Sequence, residues 1–433
     1  MRSVLLPCAL LVVMALQGQG DWSWEERAPL PMPTANNAVC AGVVDGDTRV
    51  YSFGGIGSGL ARTAIHRKAY RYSTLSDSWT VLPDIPDTSG KIASAANVVD
   101  GVAYVIGGYH VLAGSPYEIS SDRVHRLDLV SEQWLEDGAP IPTPIDDQVQ
   151  VVWRDSLIYV ITGWSNVTNV AAVQIYDPSL DAWSIGTSVP NNNLYKVFGA
   201  SGCVLGDTIF YYGGASLGSN FPAQDELRKG VIDPNDPTAI TWSPAIPTGR
   251  ARYRTACGTF ADRPFWVGGS AVSYNYDAVA YNGSGVVSPS GDLAVLHGDG
   301  STLQSFSTPN AAMDLRGLGE LPGGGFHVCG GIGANAEVLS TNWLARPTVV
   351  VDELVAGSLK VFPVPSNGLV FVEPPTGMRV ERYAVFNASG QEVRSGPWGA
   401  RRELDLSGTA PGIYVLQLFG TTAVSSNRFW IMY

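Results

Sequence analysis

Residues 100–108 read Asp100-Gly101-Val102-Ala103-Tyr104-Val105-Ile106-Gly107-Gly108. A hairpin turn (Asp-Gly) is followed by an unbroken apolar run and then by paired glycines. The run is rich in β-branched and aromatic residues and lacks polar alternation, so it predicts a strand buried on both faces. Paired glycines at its end allow positive φ and let a neighbouring backbone approach where a Cβ would block it. The same arrangement recurs along residues 21–346. Glycines follow apolar runs at Gly54-Gly55, Gly107-Gly108, Gly163 alone before Trp164, Gly213-Gly214, Gly268-Gly269 and Gly330-Gly331. The turns Asp45-Gly46, Asp100-Gly101 and Gly206-Asp207 join these runs to apolar strands before them. Six copies of one unit predict a ring or a stack of small sheets.

Beyond the glycines each unit carries a third strand and a turn into an aromatic. Tyr72 precedes Trp79 by seven residues, Leu127 precedes Trp134 by seven, and Tyr176 precedes Trp183 by seven. The fourth unit stretches this spacing before Trp242, and the fifth replaces the tryptophan with Phe306. Glycine pairs followed by a spaced tyrosine and tryptophan resemble the kelch repeat, whose fold is a β-propeller of four-stranded blades. That resemblance implies an all-β, six-bladed propeller of the galactose oxidase-like type over residues 21–346. The first segment, Asp21 to Pro33, carries Trp24 but no glycine pair, whereas the last unit has no fourth strand left before the chain changes character. The N-terminal segment is therefore expected to complete the last blade, pairing two otherwise open edges.

Residues 347–357 read as a linker, and 358–433 as a second, smaller series of strands separated by turns, predicting a β-sandwich of immunoglobulin-like kind. Three blocks stand out: FPVPSNG at Phe362–Gly368, VFNASGQEV at Val385–Val393 and LDLSGTAPGIYVLQL at Leu404–Leu418. Together they resemble the type A sorting domain of the type IX secretion system of Bacteroidota. The matching positions are Pro363, Pro365, Ser366, Asn367, Gly368, Gly390, Gln391, Pro411, Gly412 and Tyr414; Val364 departs from the family's usual asparagine. The resemblance implies handling by the type IX machinery and a secreted or surface-attached product.

The N-terminus agrees with export. Residues 1–20 have a basic start, an apolar run from Val4 to Leu16 and a small polar stretch, the layout of a secretory signal peptide. No other run approaches the roughly 20 apolar residues of a transmembrane helix. The 433-residue chain has 49 Gly and 28 Pro with only 15% charged residues, a composition of turns and short strands. Its net charge of −12 argues against a nucleic-acid partner. Cys40, Cys203, Cys257 and Cys329 are dispersed, so they read as buried hydrophobes, with one bridge between neighbouring repeats left open in an oxidising compartment.

Candidate ligand residues sit in the loops entering the first strand of each unit. Asp146 and Asp147 open the third unit, Tyr195 and Lys196 the fourth, Arg250, Arg252 and Arg254 the fifth, and Asp314 with Arg316 the sixth. Alternation would put the three arginines on one side, where they could grip carboxylate or phosphate while the aspartates accept sugar hydroxyls. Mutual charge satisfaction is the plainer alternative. Some kelch-type propellers are enzymes, among them a copper oxidase of galactose and a sialic acid epimerase. The copper site of the former takes two histidines, two tyrosines and a linked cysteine. None of the five histidines here stands in such a context, and the pair His327 and Cys329, sharing one strand face, reads as core. The sequence thus predicts a noncatalytic binding or adhesion module for a glycan or protein, without metal or cofactor. A secreted carbohydrate-active enzyme is the alternative.

Overall fold

The computed structural model describes residues 22–322, 324–348, 359–374, 380–387, 391–399, 402–420 and 424–432. The expected signal peptide at 1–20, most of the 347–357 linker and Gly390 lie outside these residues. The chain divides into two compact units, one spanning Gly20–Thr348 and the other including Val349–Tyr433. Among the described residues the only helical segments are two 3-10 turns, Arg62–Ala64 and Ala334–Ala336.

Among the described residues the larger unit holds six sheets of four main antiparallel strands each, three of them extended by a short fifth strand, and a two-stranded hairpin, Trp164–Ser165 with Thr168–Asn169. Sheet one runs Ala38–Val44, Asp47–Phe53, Ala69–Ser73, Ser78–Leu82 from its inner to its outer strand. Sheet two follows as Ile92–Val99, Val102–Val111, Val124–Asp128, Gln133–Trp134, and sheet three as Val149–Trp153, Leu157–Ile161, Val173–Asp177, Ala182–Gly186. Sheet four is Val197–Leu205, Thr208–Ser216, Glu226–Asp233, Asp236–Trp242; sheet five is Ala256–Phe260, Arg263–Val267, Asp292–Leu296, Leu303–Ser307. The sixth departs from chain order: Gly319–Glu320, Phe326–Cys329, Asn342–Pro347, and then Trp22–Arg27 from the other end of the unit. Trp24 pairs with Ala345, which pairs with Phe326, so the opening strand supplies the missing edge of the last sheet.

Inner strands touch in sequence order, first to second through fourth to fifth, and Arg316–Gly317 lies parallel to Ala38–Val39 to complete the circle. Each buried run named from the sequence is the second strand of its sheet. The seven-residue spacings are cross-strand neighbours: Tyr72 faces Trp79, Leu127 faces Trp134, and Tyr176 faces Trp183. The glycines close the sheets onto one another. Gly108, Gly214, Gly269 and Gly331 donate their N–H groups to Ile145, Arg252, Ala312 and Thr34 of the next sheet's entering loop, at 2.7–2.9 Å. A Cβ on the preceding glycine of each pair would collide with that same carbonyl oxygen. Sheet three uses Thr162 and Gly163, with Thr162 taking the left-handed conformation of the absent first glycine (φ 46°).

The smaller unit has a three-stranded sheet, Lys360–Phe362, Leu369–Glu373, Glu403–Asp405, and a four-stranded one ordered Glu392–Pro397, Val380–Asn387, Gly412–Gly420, Val424–Ile431. Val361, Val370, Val372 and Leu404 of the first sheet share one core with Val385, Leu416, Leu418 and Phe429 of the second, which makes a sandwich. The strand Glu392–Pro397 was not anticipated from sequence. Its alternation is polar and mostly exposed, leaving no hydrophobic pattern to detect. Within the sorting motif, buried Ser366 donates to the Leu369 carbonyl and accepts from Gly368 N–H, fixing the turn between the first two strands.

Candidate functional site: a floored central channel

One residue per sheet, at or just ahead of the start of each inner strand, takes the left-handed backbone conformation: Asn36, Ala93, Asp147, Gly199, Arg254 and Asp314, with φ between 49° and 68°. A non-glycine residue gives up about 1–2 kcal/mol there. A closed circle of hydrogen bonds offsets it. Asn36 N–H donates to Asp314 O, Ala93 N–H to Asn36 Oδ1, Asp147 N–H to Ala93 O, Gly199 N–H to Asp147 O, Arg254 N–H to Gly199 O, and Leu315 N–H back to Arg254 O, at 2.6–3.1 Å.

Side chains from this circle fill its centre. Arg254 donates to both oxygens of Asp147 (3.1 and 2.6 Å) and to Asp314 Oδ1 (2.8 Å), and all three residues are at most 2% exposed. Arg316 reaches across to the carbonyls of Gln148 (2.8 Å) and Ser94 (3.4 Å) and lies 3.6 Å from Asp147. Two arginines and two aspartates cancel, as buried charge requires. Burial raises the Asp314 carboxyl against the opposing pull of Arg254. Asn36 Nδ2 and Tyr274 OH also reach Asp314.

Above the circle lies an aromatic cap. Loops after the glycines bring Trp164, Phe221, Tyr274 and Tyr281 onto Phe198 and Tyr253, with ring centroids 5.0–6.4 Å apart in edge-on pairs. Arg254 lies over Tyr253 and Tyr274. Asp146 is buried and paired through its backbone with Trp164, takes a 2.5 Å hydrogen bond from Ser120, and burial, reinforced by the Asp147 charge, holds its pKa well above the ordinary carboxylate range.

Below the circle a channel of about 380 Å³ runs between the six inner strands. Its lining includes Asn97, Gln150, Ser201, Cys203, Thr255 and Cys257, with Glu320 at the edge of the sixth sheet. Asn97 Oδ1, Gln148 Oε1 and Gln150 Nε2 are buried without a protein partner. Buried amide atoms of this kind are satisfied by water or by a polar ligand.

The candidates read from the sequence thus divide. The three arginines do not share one side: Arg252 is bidentate on Asp292 (2.8 and 2.9 Å), Arg250 shares that carboxylate from an exposed position (3.3 Å), and Arg254 turns inward. Alternation fails because the segment is not a regular strand and Arg254 has positive φ (50°). Tyr195 is buried with its hydroxyl on Ser243 O (2.6 Å), and Lys196 is half-buried. His327 and Cys329 both bond to Asn342 Oδ1, at 2.8 and 3.4 Å. Sequence reasoning missed Asn36, Ala93 and Gly199, since the six circle positions share a backbone conformation and no residue type. It also missed the amides of the channel. Among the described residues, no three His, Cys, Asp or Glu side chains converge as a metal site, and no helix is long and apolar enough to cross a membrane.

Residues 360–432 match the family of secretion system C-terminal sorting domains. Over 302 residues the chain is 29% identical to kelch-like protein terF of Aspergillus terreus, an alignment covering 66% of this chain and 56% of that protein. It is 27% identical over 196 residues to Kelch-like protein 25 of Xenopus tropicalis, covering 43% of this chain and 30% of the relative. The chain therefore spans just over half the length of the first relative and under a third of the second. Among solved structures it superposes on YjhT with a TM-score of 0.58 at 16% identity, covering 73% of this chain and 95% of that one, so the two share a fold. The two resemblances drawn from the sequence are met in different ways: the kelch reading by relatives and a shared fold, the sorting-domain reading by a direct family match over nearly the whole C-terminal unit.

Proposed function

We propose that the chain is exported by the type IX secretion machinery acting on residues 358–433 and that its propeller is a noncatalytic binding module for a glycan or protein ligand, at the cell surface or released. The observation that carries this reading is the sorting-domain match at residues 360–432 on a chain whose other unit is a propeller. The charge arrangement supports binding over catalysis, because Arg254, Asp147 and Asp314 are committed to one another. The cap end offers the recognition surface. Its loops expose Tyr117 (65%), Val167 (79%), Leu217, Val279 and Val286, apolar side chains of the kind that mark interaction sites. Lys196 and Arg250 flank them with positive charge, and in this reading they contact ligand while Asp146, Asp147, Arg252, Arg254, Asp314 and Arg316 hold the frame.

Export is tested by removing residues 358–433 in the producing cell. Retention of the truncated protein inside the outer membrane is expected, and undiminished release refutes the export reading. Binding is tested on glycan and peptide arrays with the purified protein and a Tyr117→Ala, Val167→Ser, Leu217→Ser variant. Arrays on which the unaltered protein retains nothing, or on which the variant binds as well, refute the cap-end assignment.

A further inference from the structure

The seam between sheets four and five is held by contacts at the starts of two inner strands. Arg254 N–H meets Gly199 O at 2.7 Å, and the hydroxyls of Ser201 and Thr255 meet at 2.6 Å. Two residues further along each strand, on the same faces, stand Cys203 and Cys257. Both line the central channel, and their strands, Val197–Leu205 and Ala256–Phe260, are in contact. Trp266 of sheet five clamps the same seam by donating from Nε1 to Ser201 O at 3.0 Å.

The other two cysteines of the propeller are differently placed. Cys329 bonds to Asn342, and Cys40, which also lines the channel, lies on the inner strand of sheet one, with sheets two and three between it and Cys203 and sheet six between it and Cys257. Cys257 is half-buried at the channel wall with its Sγ 3.9 Å from the Gly258 carbonyl, and burial, together with the neighbouring Cys203, pushes its thiol well above the usual range.

We infer that Cys203 and Cys257 are joined by a disulfide across this seam once the folded chain meets a thiol–disulfide oxidant. The more exposed Cys257 gives up its proton and attacks one sulfur of the oxidant's disulfide, releasing the other as a thiol. Cys203, losing its own proton, then displaces the oxidant's second sulfur from Cys257. Two protons and two electrons pass to the oxidant, and one S–S bond replaces another. The bridge ties two neighbouring sheets and closes the intervening chain, which disfavours the unfolded state. It also removes both thiols from the channel wall.

The inference does not rest on the export reading, because the purified full-length chain can be oxidised directly. Native protein is incubated with oxidised glutathione, unreacted thiols are blocked with N-ethylmaleimide, and non-reduced peptides are mapped by mass spectrometry. One cross-linked pair containing Cys203 and Cys257 is expected, with Cys40 and Cys329 alkylated. In the Cys203→Ser variant Cys257 is expected to appear without a protein partner, and the oxidised unaltered chain to hold a folded-to-unfolded ratio at least about tenfold above it at equal urea. Alkylation of both Cys203 and Cys257 in the oxidised unaltered protein overturns the inference, as does linkage of either one to a different cysteine.

Discussion

Gly206 and Gly213 both have positive φ, 57° and 70°, yet they do different jobs. Gly206 sits in a hairpin turn with nothing within 4 Å of an added Cβ, whereas a Cβ on Gly213 would strike the Arg252 carbonyl of the next sheet's loop. Gly206→Ala is therefore expected to cost about 1 kcal/mol, the left-handed penalty alone. Gly213→Ala adds a backbone collision and the loss of the Gly214–Arg252 hydrogen bond, for at least about 3 kcal/mol by urea denaturation. His327 makes a second prediction at this scale. It is 1% exposed, donates from Nδ1 to Asn342 Oδ1, and burial holds its imidazole down to about 4. The unfolded chain titrates near 6.5, so between those values it binds a proton that the folded chain refuses. Stability must fall as the pH drops from about 6.5 to about 4, by up to about 3 kcal/mol from this group. Comparing urea midpoints at pH 7 and pH 4.5, His327→Gln is expected to lose less than the unaltered protein. The residue type at both positions was legible in the sequence, but the reasons differ. The glycine pair recurs and so announces itself, while His327 becomes informative only once Asn342 is known to lie beside it.

Between elements, one clamp recurs at the outer edge of the sheets. Trp79 donates from Nε1 to Ala28 O (2.8 Å), Trp134 to Pro83 O (2.8 Å), Trp183 to Ala139 O (2.7 Å) and Trp242 to Thr187 O (3.1 Å), each on the loop leaving the preceding sheet. For sheets one and three an aspartate takes the clamped residue's N–H, whereas Thr187 N–H goes to the Thr238 carbonyl at 2.7 Å. Asp77 accepts from Ala28 N–H (2.9 Å) and Tyr72 OH (2.7 Å), and Asp181 accepts from Ala139 N–H (2.7 Å) and Tyr176 OH. Pro83 has no N–H to offer, and there Leu127 replaces the tyrosine and Glu132 the aspartate. Glu132 turns instead to Arg49 and Arg71, at 3.2 and 3.0 Å. The tyrosine–tryptophan spacing was visible in the sequence as a constant interval, but its partner loop was not, because that contact spans 44 to 55 residues. Asp77→Ala removes two hydrogen bonds and is expected to cost about 2 kcal/mol in thermal or urea unfolding. An unchanged midpoint would show that the aspartate holds nothing.

For the molecule as a whole, the sequence showed six glycine positions, an opening segment without a sheet and a final unit without its fourth strand, and from these the ring can be drawn. What it concealed was the state of the axis. Asp147, Arg254, Asp314 and Arg316 looked like an exposed mouth because charged residues in loops ordinarily face water. Six left-handed residues linked end to end instead make a floor, with an aromatic cap on one side and a polar channel on the other. The floor can exist only if the circle is closed, and closure depends on Trp22–Arg27 pairing with Asn342–Pro347. Ser23 faces Arg346 in that pairing, and Ser23 Oγ donates to the Arg346 carbonyl at 3.1 Å. The decisive measurement is oxidative cross-linking of the full chain carrying Ser23→Cys and Arg346→Cys, read by peptide mapping of the folded protein. A disulfide between residues 23 and 346 is the predicted result, and two free thiols at those positions after oxidation would contradict the closed ring.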